Sequence, residues 1–191
     1  MKHLQLLILF IAGAVALQSC KKSADSSTDN SAPATSAMFQ ATINGTVWKP
    51  DTTAATITFN AAAKTKVLTL TGTKAQKRVT VAITLTNATN DNSFTTGTYN
   101  VNATTNVNMA YYTQQKDATG NYVFVQHGTV EAGSGTLTLS SIDIAAKTIT
   151  GSFSFTSTKK TLANNGDVIS IDVANITAGQ FNAMPYTYTS N

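Results

Sequence analysis

Acid–base chemistry in this chain would have to run through very few side chains. Beyond the first twenty residues there is one histidine, His127, and the whole chain holds one glutamate, Glu131. A Ser-His-Asp relay would need His127 as its base. That residue follows Tyr122-Val123-Phe124-Val125-Gln126 and precedes Gly128, a strand-end position where a hydrogen-bonded or exposed histidine is the ordinary outcome. Zinc takes three or four His, Cys or carboxylate ligands, and His127 with Glu131 does not make a local set. Paired carboxylates for glycoside hydrolysis would have to come from Glu131 and the scattered Asp143, Asp167 and Asp172, which fall at turns or on a polar strand face. Asn90-Asp91-Asn92 is oxygen-rich, yet it lacks the alternating acids and terminal Glu of a calcium loop and reads as a turn. The glycines are spread singly, with no phosphate-cradling run. The expectation is a non-catalytic protein with no cofactor and no metal. A hydrolase built on His127 or an Asp pair is the minor alternative.

Binding chemistry has better candidates. Trp48 is the single tryptophan, and an indole face near a hairpin can stack on a sugar. A core Trp sealing the fold is the competing reading. Tyr111 and Tyr112 are adjacent, so in a strand they point to opposite faces and one of them meets solvent or a groove.

Cys20 is the single cysteine. Before it stand a basic start at Lys2, an apolar run from Leu4 to Leu17 and the small residue Ser19, the plan of an export signal. The run is shorter than the roughly 20 residues a spanning helix needs. One cysteine excludes internal disulfides and thiol-based metal sites. Residues 21–37, rich in Ser, Thr, Ala and Asp, have no apolar period and read as a flexible tether. The divisions expected are therefore 1–19 signal peptide, 20–37 cysteine and linker, and 38–191 a single folded domain.

That domain reads as all-β. Val79, Val81, Ile83 and Leu85 alternate with Thr80, Ala82, Thr84 and Thr86, the period of a strand with one buried and one wet face. Ala55, Ile57 and Phe59 behave alike, as do Ile149, Phe153 and Phe155 with Gly151. Ile169, Ile171 and Val173 alternate with Ser170 and Asp172 and are expected to form another buried face. Asn44-Gly45 between two short β runs is a strong hairpin signal. Turn residues at 117–120, 143–147 and 164–167 divide the later runs. Strands of varied length at near-even spacing favour an antiparallel two-sheet β-sandwich over a closed barrel. The formal net charge is +4. Its clusters, Lys64 with Lys66, Lys74 with Lys77 and Arg78, and Lys159 with Lys160, are read as solvated turn charges, so no nucleic-acid partner is expected.

Leu17-Gln18-Ser19-Cys20 resembles the lipobox of bacterial lipoproteins. The order continues with Phe39-x-Ala41-x-Ile43-Asn44-Gly45-x-x-Trp48, Gly97-Thr98-Tyr99, Gly135-Thr136-Leu137-Thr138-Leu139, Lys147 to Phe155, and Gly179-Gln180-Phe181-Asn182-x-x-Pro185-Tyr186. In this order the chain is similar to an uncharacterised family of Bacteroidetes envelope lipoproteins. The resemblance implies cleavage before Cys20, acylation of its sulfur, and a lipid bilayer as first partner; Lys21-Lys22 follows the cysteine without an Asp at the first position or a dense acidic run, so the outer membrane is the expected location, with its face open. Asp51-Thr52-Thr53 resembles a short O-glycosylation acceptor pattern of exported proteins from such bacteria, which makes Thr52 a candidate for modification. The motifs are structural and carry no activity. The function expected is a membrane-anchored binding or accessory module for a glycan or a protein. The alternative is a structural or assembly lipoprotein acting through a protein partner.

Overall fold

A computed structural model of the chain describes residues 38–102 and 106–191. Cys20, the signal segment and the tether lie outside the described residues.

The chain turns first at Asn44-Gly45, joining β1 (Phe39–Ile43) to β2 (Thr46–Trp48). Their φ angles of 49° and 79° are the left-handed pair that a two-residue type I′ turn demands. β3 (Thr52–Asn60), β4 (Thr65–Lys74) and β5 (Lys77–Leu85) form a meander. β6 (Gly97–Asn100), β7 (Val107–Lys116), β8 (Tyr122–Gln126), β9 (Gly135–Asp143), β10 (Thr148–Leu162), β11 (Val168–Pro185) and β12 (Thr187–Ser190) complete the described strands. They form two six-stranded sheets, β2-β1-β11-β10-β9-β6 and β12-β3-β4-β5-β7-β8. The pairings are antiparallel except for β12 beside β3. The fold is the expected all-β two-sheet sandwich, and neither sheet closes into a barrel.

The period-two pattern explains which face each strand buries. Ile57, Leu68, Leu70, Val79, Val81 and Ile83 fill the inner face of the second sheet, while Phe39, Leu137, Leu139, Phe153, Phe155, Ile176 and Phe181 fill that of the first. Burying each such side chain contributes about 1.5–3 kcal/mol. Two glycines let the aromatic rings settle against the backbone. Gly151 stands opposite Phe181 and Gly179 opposite Phe153. A Cβ at Gly151 would collide with the Phe181 ring, and one at Gly179 would lie 2.6 Å from the Phe153 ring. Each ring thus covers a neighbouring bare backbone.

The loop from β5 to β6 carries the chain from one sheet to the other, and a buried cation fastens it. Lys66, read from sequence as a solvated turn charge, is only 3% exposed. Its ammonium donates to Asp91 at 2.9 Å and to the Ser93 carbonyl at 3.0 Å. Asp91 also accepts from the Thr89 and Ser93 hydroxyls. The Ser93 hydroxyl leads, ahead of Thr89 and Lys66, in holding the Asp91 carboxyl well below the usual carboxylate range. Asn90-Asp91-Asn92 is therefore the turn expected, with its carboxylate committed to a structural latch. Tyr186 adds a hydroxyl bond to the Asn92 carbonyl at 3.0 Å.

One apolar run departs from expectation. Ile169, Ile171 and Val173 do not face the core; they are 66%, 59% and 41% exposed. β10 and β11 pair on past the sandwich as an overhanging arm, with Thr158 opposite Val173, Lys160 opposite Ile171 and Leu162 opposite Val168. Alternation continues unbroken from Ala174 and Ile176, which point inward, as far as Ser170, so Val173 and Ile171 point outward, while the register with β10 slips between Ser170 and Val168 and Ile169 falls in that bulge. The inward places fall to Asp172 and Ser170.

Candidate binding face on β5, β7 and β8

β7 is held against β5 with Tyr111 opposite Val79 and Tyr112 opposite Arg78. Val79 is fully buried, so Tyr111 shares the inner face and Tyr112 the outer one, the split expected for adjacent strand residues. β8 then pairs on β7 with Gln126 opposite Tyr112, Phe124 opposite Gln114 and Tyr122 opposite Lys116. Opposed residues share a face. The outer surface at this margin is therefore built from Arg78, Tyr112, Gln114, Lys116, Tyr122, Phe124 and Gln126.

Two cations sit on the rings of this surface. The Arg78 guanidinium lies 4.0 Å from the centre of the Phe124 ring, and the Lys116 ammonium 5.4 Å from that of Tyr122, both within cation–π range. Arg78 Nε also donates to Thr73 Oγ1 at 3.3 Å, which fixes the plane of the fork. Its remaining N–H donors suit the two oxygens of a carboxylate. Tyr122 is 59% exposed and alternates with Phe124 at a strand spacing of about 6.6 Å. β5, β7 and β8 contain Lys77, Arg78 and Lys116 but no Asp or Glu, so the strands themselves carry a net positive charge. The hairpin that presents it is rigidified at its turn: Asp117 accepts from the Thr119 hydroxyl at 2.7 Å and from the Thr119 and Asn121 N–H groups at 2.9 Å. The Thr119 hydroxyl leads in lowering the Asp117 carboxyl below its usual value.

Of the three aromatic residues expected to contact a ligand, Tyr112 alone belongs to this face. Trp48 and Tyr111 are core side chains, 6% and 5% exposed. Trp48 ends its short strand pointing inward and stands edge-on to Phe39 at 6.3 Å, which removes the indole face from solvent. Lys116, Tyr122 and Phe124 have no ligand role in the sequence pattern, and Arg78, expected as a solvated turn charge, lies instead over the Phe124 ring. The signal was present in the alternation of Tyr122, Phe124 and Gln126 with Val123 and Val125. Thr52 opens β3 as an exposed residue opposite Thr73, a position an attached sugar can occupy without disturbing the core.

His127 occupies the strand end assigned to it. Its backbone N–H donates to the Tyr111 carbonyl at 2.8 Å, and Nε2 lies 3.0 Å from Asp172 Oδ2 on the arm. Burial, with the Asp172 charge adding, pushes the Tyr111 phenol above its usual value. Ser157 is the buried hydroxyl nearby, and it donates to the His127 backbone carbonyl. His127 Nδ1, the nitrogen a nucleophile would need, is buried without a hydrogen-bond partner among the described residues. The arrangement ties the two sheets together at the root of the arm and does not form a relay. Gly128 permits the close approach: its φ is 60°, and a Cβ there would collide with the Thr158 carbonyl oxygen. Glu131 spends its charge at the surface, 3.9 Å from Lys160. Among the described residues no three His, Cys, Asp or Glu side chains gather to hold a metal, and no helix is long and apolar enough to cross a membrane.

No curated protein and no solved structure matches the chain. A family model described as a domain of unknown function, DUF6252, matches residues 35–185. That span takes in β1 through β11, the latch, the aromatic margin and the arm, and the chain belongs to this family.

Proposed function

We propose that this domain is a non-catalytic binding module that holds an acidic glycan on the outer face of β5, β7 and β8. One observation carries the reading: Tyr112, Phe124 and Tyr122 share an exposed sheet face on which Arg78 and Lys116 are already seated over rings. Rings spaced along a strand offer flat apolar surface to the C–H faces of successive sugars, and Gln114 and Gln126 offer donors and acceptors to hydroxyls. Arg78 favours a carboxylate-bearing sugar, because its fork is held by Thr73 and no acid on these strands neutralises it. The module works from a membrane, tethered by residues 21–37 to an acylated Cys20, with the outer membrane as its location. Thr52 is the proposed glycosylation site, on β3, two strands from Arg78 on β5 in the order of the second sheet.

Calorimetric titration with a uronic-acid oligosaccharide tests this. Tyr122→Ala should weaken binding about tenfold, the loss of one stacked ring at 1–1.5 kcal/mol. Arg78→Lys should weaken the acidic ligand more than a neutral one of equal length. Equal affinity in folded wild-type and Tyr122→Ala protein would remove the face from consideration.

A further inference from the structure

The arm formed by the ends of β10 and β11 carries an open backbone edge. β1 covers β11 from Phe181 to Ile176 and then stops at Ile43. Asn44 closes the pairing: its N–H donates to the Asn175 carbonyl at 2.9 Å, and the Asn175 N–H donates to Asn44 Oδ1 at 2.7 Å. Beyond this point no described strand lies beside residues 168–174 on that edge. The register with β10 runs without a break from Asn175 to Ser170. Residues two apart direct their backbone groups to the same edge. Val173 and Ile171 therefore present N–H and C=O outward as Asn175 does, and they also carry exposed aliphatic side chains. Unpaired polar backbone beside apolar side chains is a template for strand addition.

We propose that this edge pairs with the same edge of a second copy, antiparallel about a two-fold axis midway between the two Ile171 residues, joining two six-stranded sheets into one. A two-fold axis normal to a sheet keeps each side chain on its own face, so the central residue must stand directly opposite its own copy, with the axis midway between the two. Only one centre in the segment matches chemistry to chemistry. Centred on Ile171, that side chain meets Ile171 of the second copy, and Ser170 offers a hydroxyl to Asp172. Centred on Asp172, two carboxylates oppose each other. The hydrogen bonds allow Ile171 and Val173, and a Val173 centre would set Ile171 against Asn175, whose backbone already bonds Asn44. Ile171 faces outward, so the two copies exchange N–H···O bonds there with Cα atoms about 5.5 Å apart. The edge is short, so the dimer belongs to the weak class, with dissociation in the range of about 10–100 µM.

Sedimentation of the purified chain over that range, together with Ile171→Lys and Ile171→Glu, decides the matter. Ile171 is 59% exposed, so both variants should keep the wild-type melting temperature and circular dichroism. Wild-type protein should form dimers. Each variant alone should be monomeric, because it sets like charges against each other across the axis. An equimolar mixture of the two should dimerise again. A wild-type chain still monomeric near 1 mM, a dimer that survives either substitution, or a mixture that stays monomeric would each overturn the proposal. None of these outcomes depends on glycan binding at β8.

Discussion

The two halves of β11 obey one geometric rule with opposite results. In residues 174–184 the inward positions are Ala174, Ile176, Phe181 and Met184, all buried. In residues 170–173 the inward positions, Ser170 and Asp172, are polar and the outward ones, Ile171 and Val173, aliphatic. The backbone changes nothing at the boundary; the opposing sheet simply ends. A period of two in a sequence reports that a strand has two chemically different faces. It does not report which face meets a core, because that depends on what lies across from it.

The sharpest way to break this contrast is to truncate one residue in each half. Phe181→Ala should cost about 4 kcal/mol, since it empties a fully buried site whose ring covers Gly151. Ile171→Ala should change monomer stability by less than about 0.5 kcal/mol. Both values come from denaturant unfolding at low protein concentration. A loss above about 1.5 kcal/mol for Ile171→Ala would mean that the arm packs within its own chain, and would close its edge to a partner.

A smaller effect separates the latch from ordinary surface charge. Asp91→Asn should destabilise the domain by about 1–2 kcal/mol at neutral pH. It leaves the Lys66 ammonium, 3% exposed, without its anion, and solvent at the 41% exposed Asp91 side chain moderates the loss. The folded Asp91 carboxyl titrates below its unfolded value near 3.9. Its contribution is therefore complete above about pH 4–5 and fades as the pH falls further. The stability gap between wild type and Asp91→Asn should narrow through that acid window. A gap constant from about pH 7 to pH 2 would assign the loss to the turn backbone instead.

Much of the fold was legible because local signals agreed with one another. Asn44-Gly45, the Thr-rich alternation of β5 and the Gly151 face of β10 each name a strand, its turn or its buried side. Three things needed the third dimension. Lys66 looked like its neighbour Lys64, and only the crossing loop buries it. Trp48 could seal a core or meet a sugar until Phe39 was seen against its ring. Tyr122 and Phe124 were visible as a pair of aromatics two residues apart. They became a surface only when the β7–β8 register set Gln114 against Phe124 and Lys116 against Tyr122, and when Arg78, forty-six residues earlier in number than Phe124, came to rest on its ring.

The smallest perturbation is also the most direct test of the binding account. Backbone amide spectra of the labelled chain should be recorded at low protein concentration while a uronic-acid oligosaccharide is added. The account predicts that resonances of Arg78, residues 112–116 and residues 122–126 move with saturation, while those of 168–174 stay fixed. Saturable shifts confined to 168–174, or none on β7 and β8 at millimolar ligand, would contradict it.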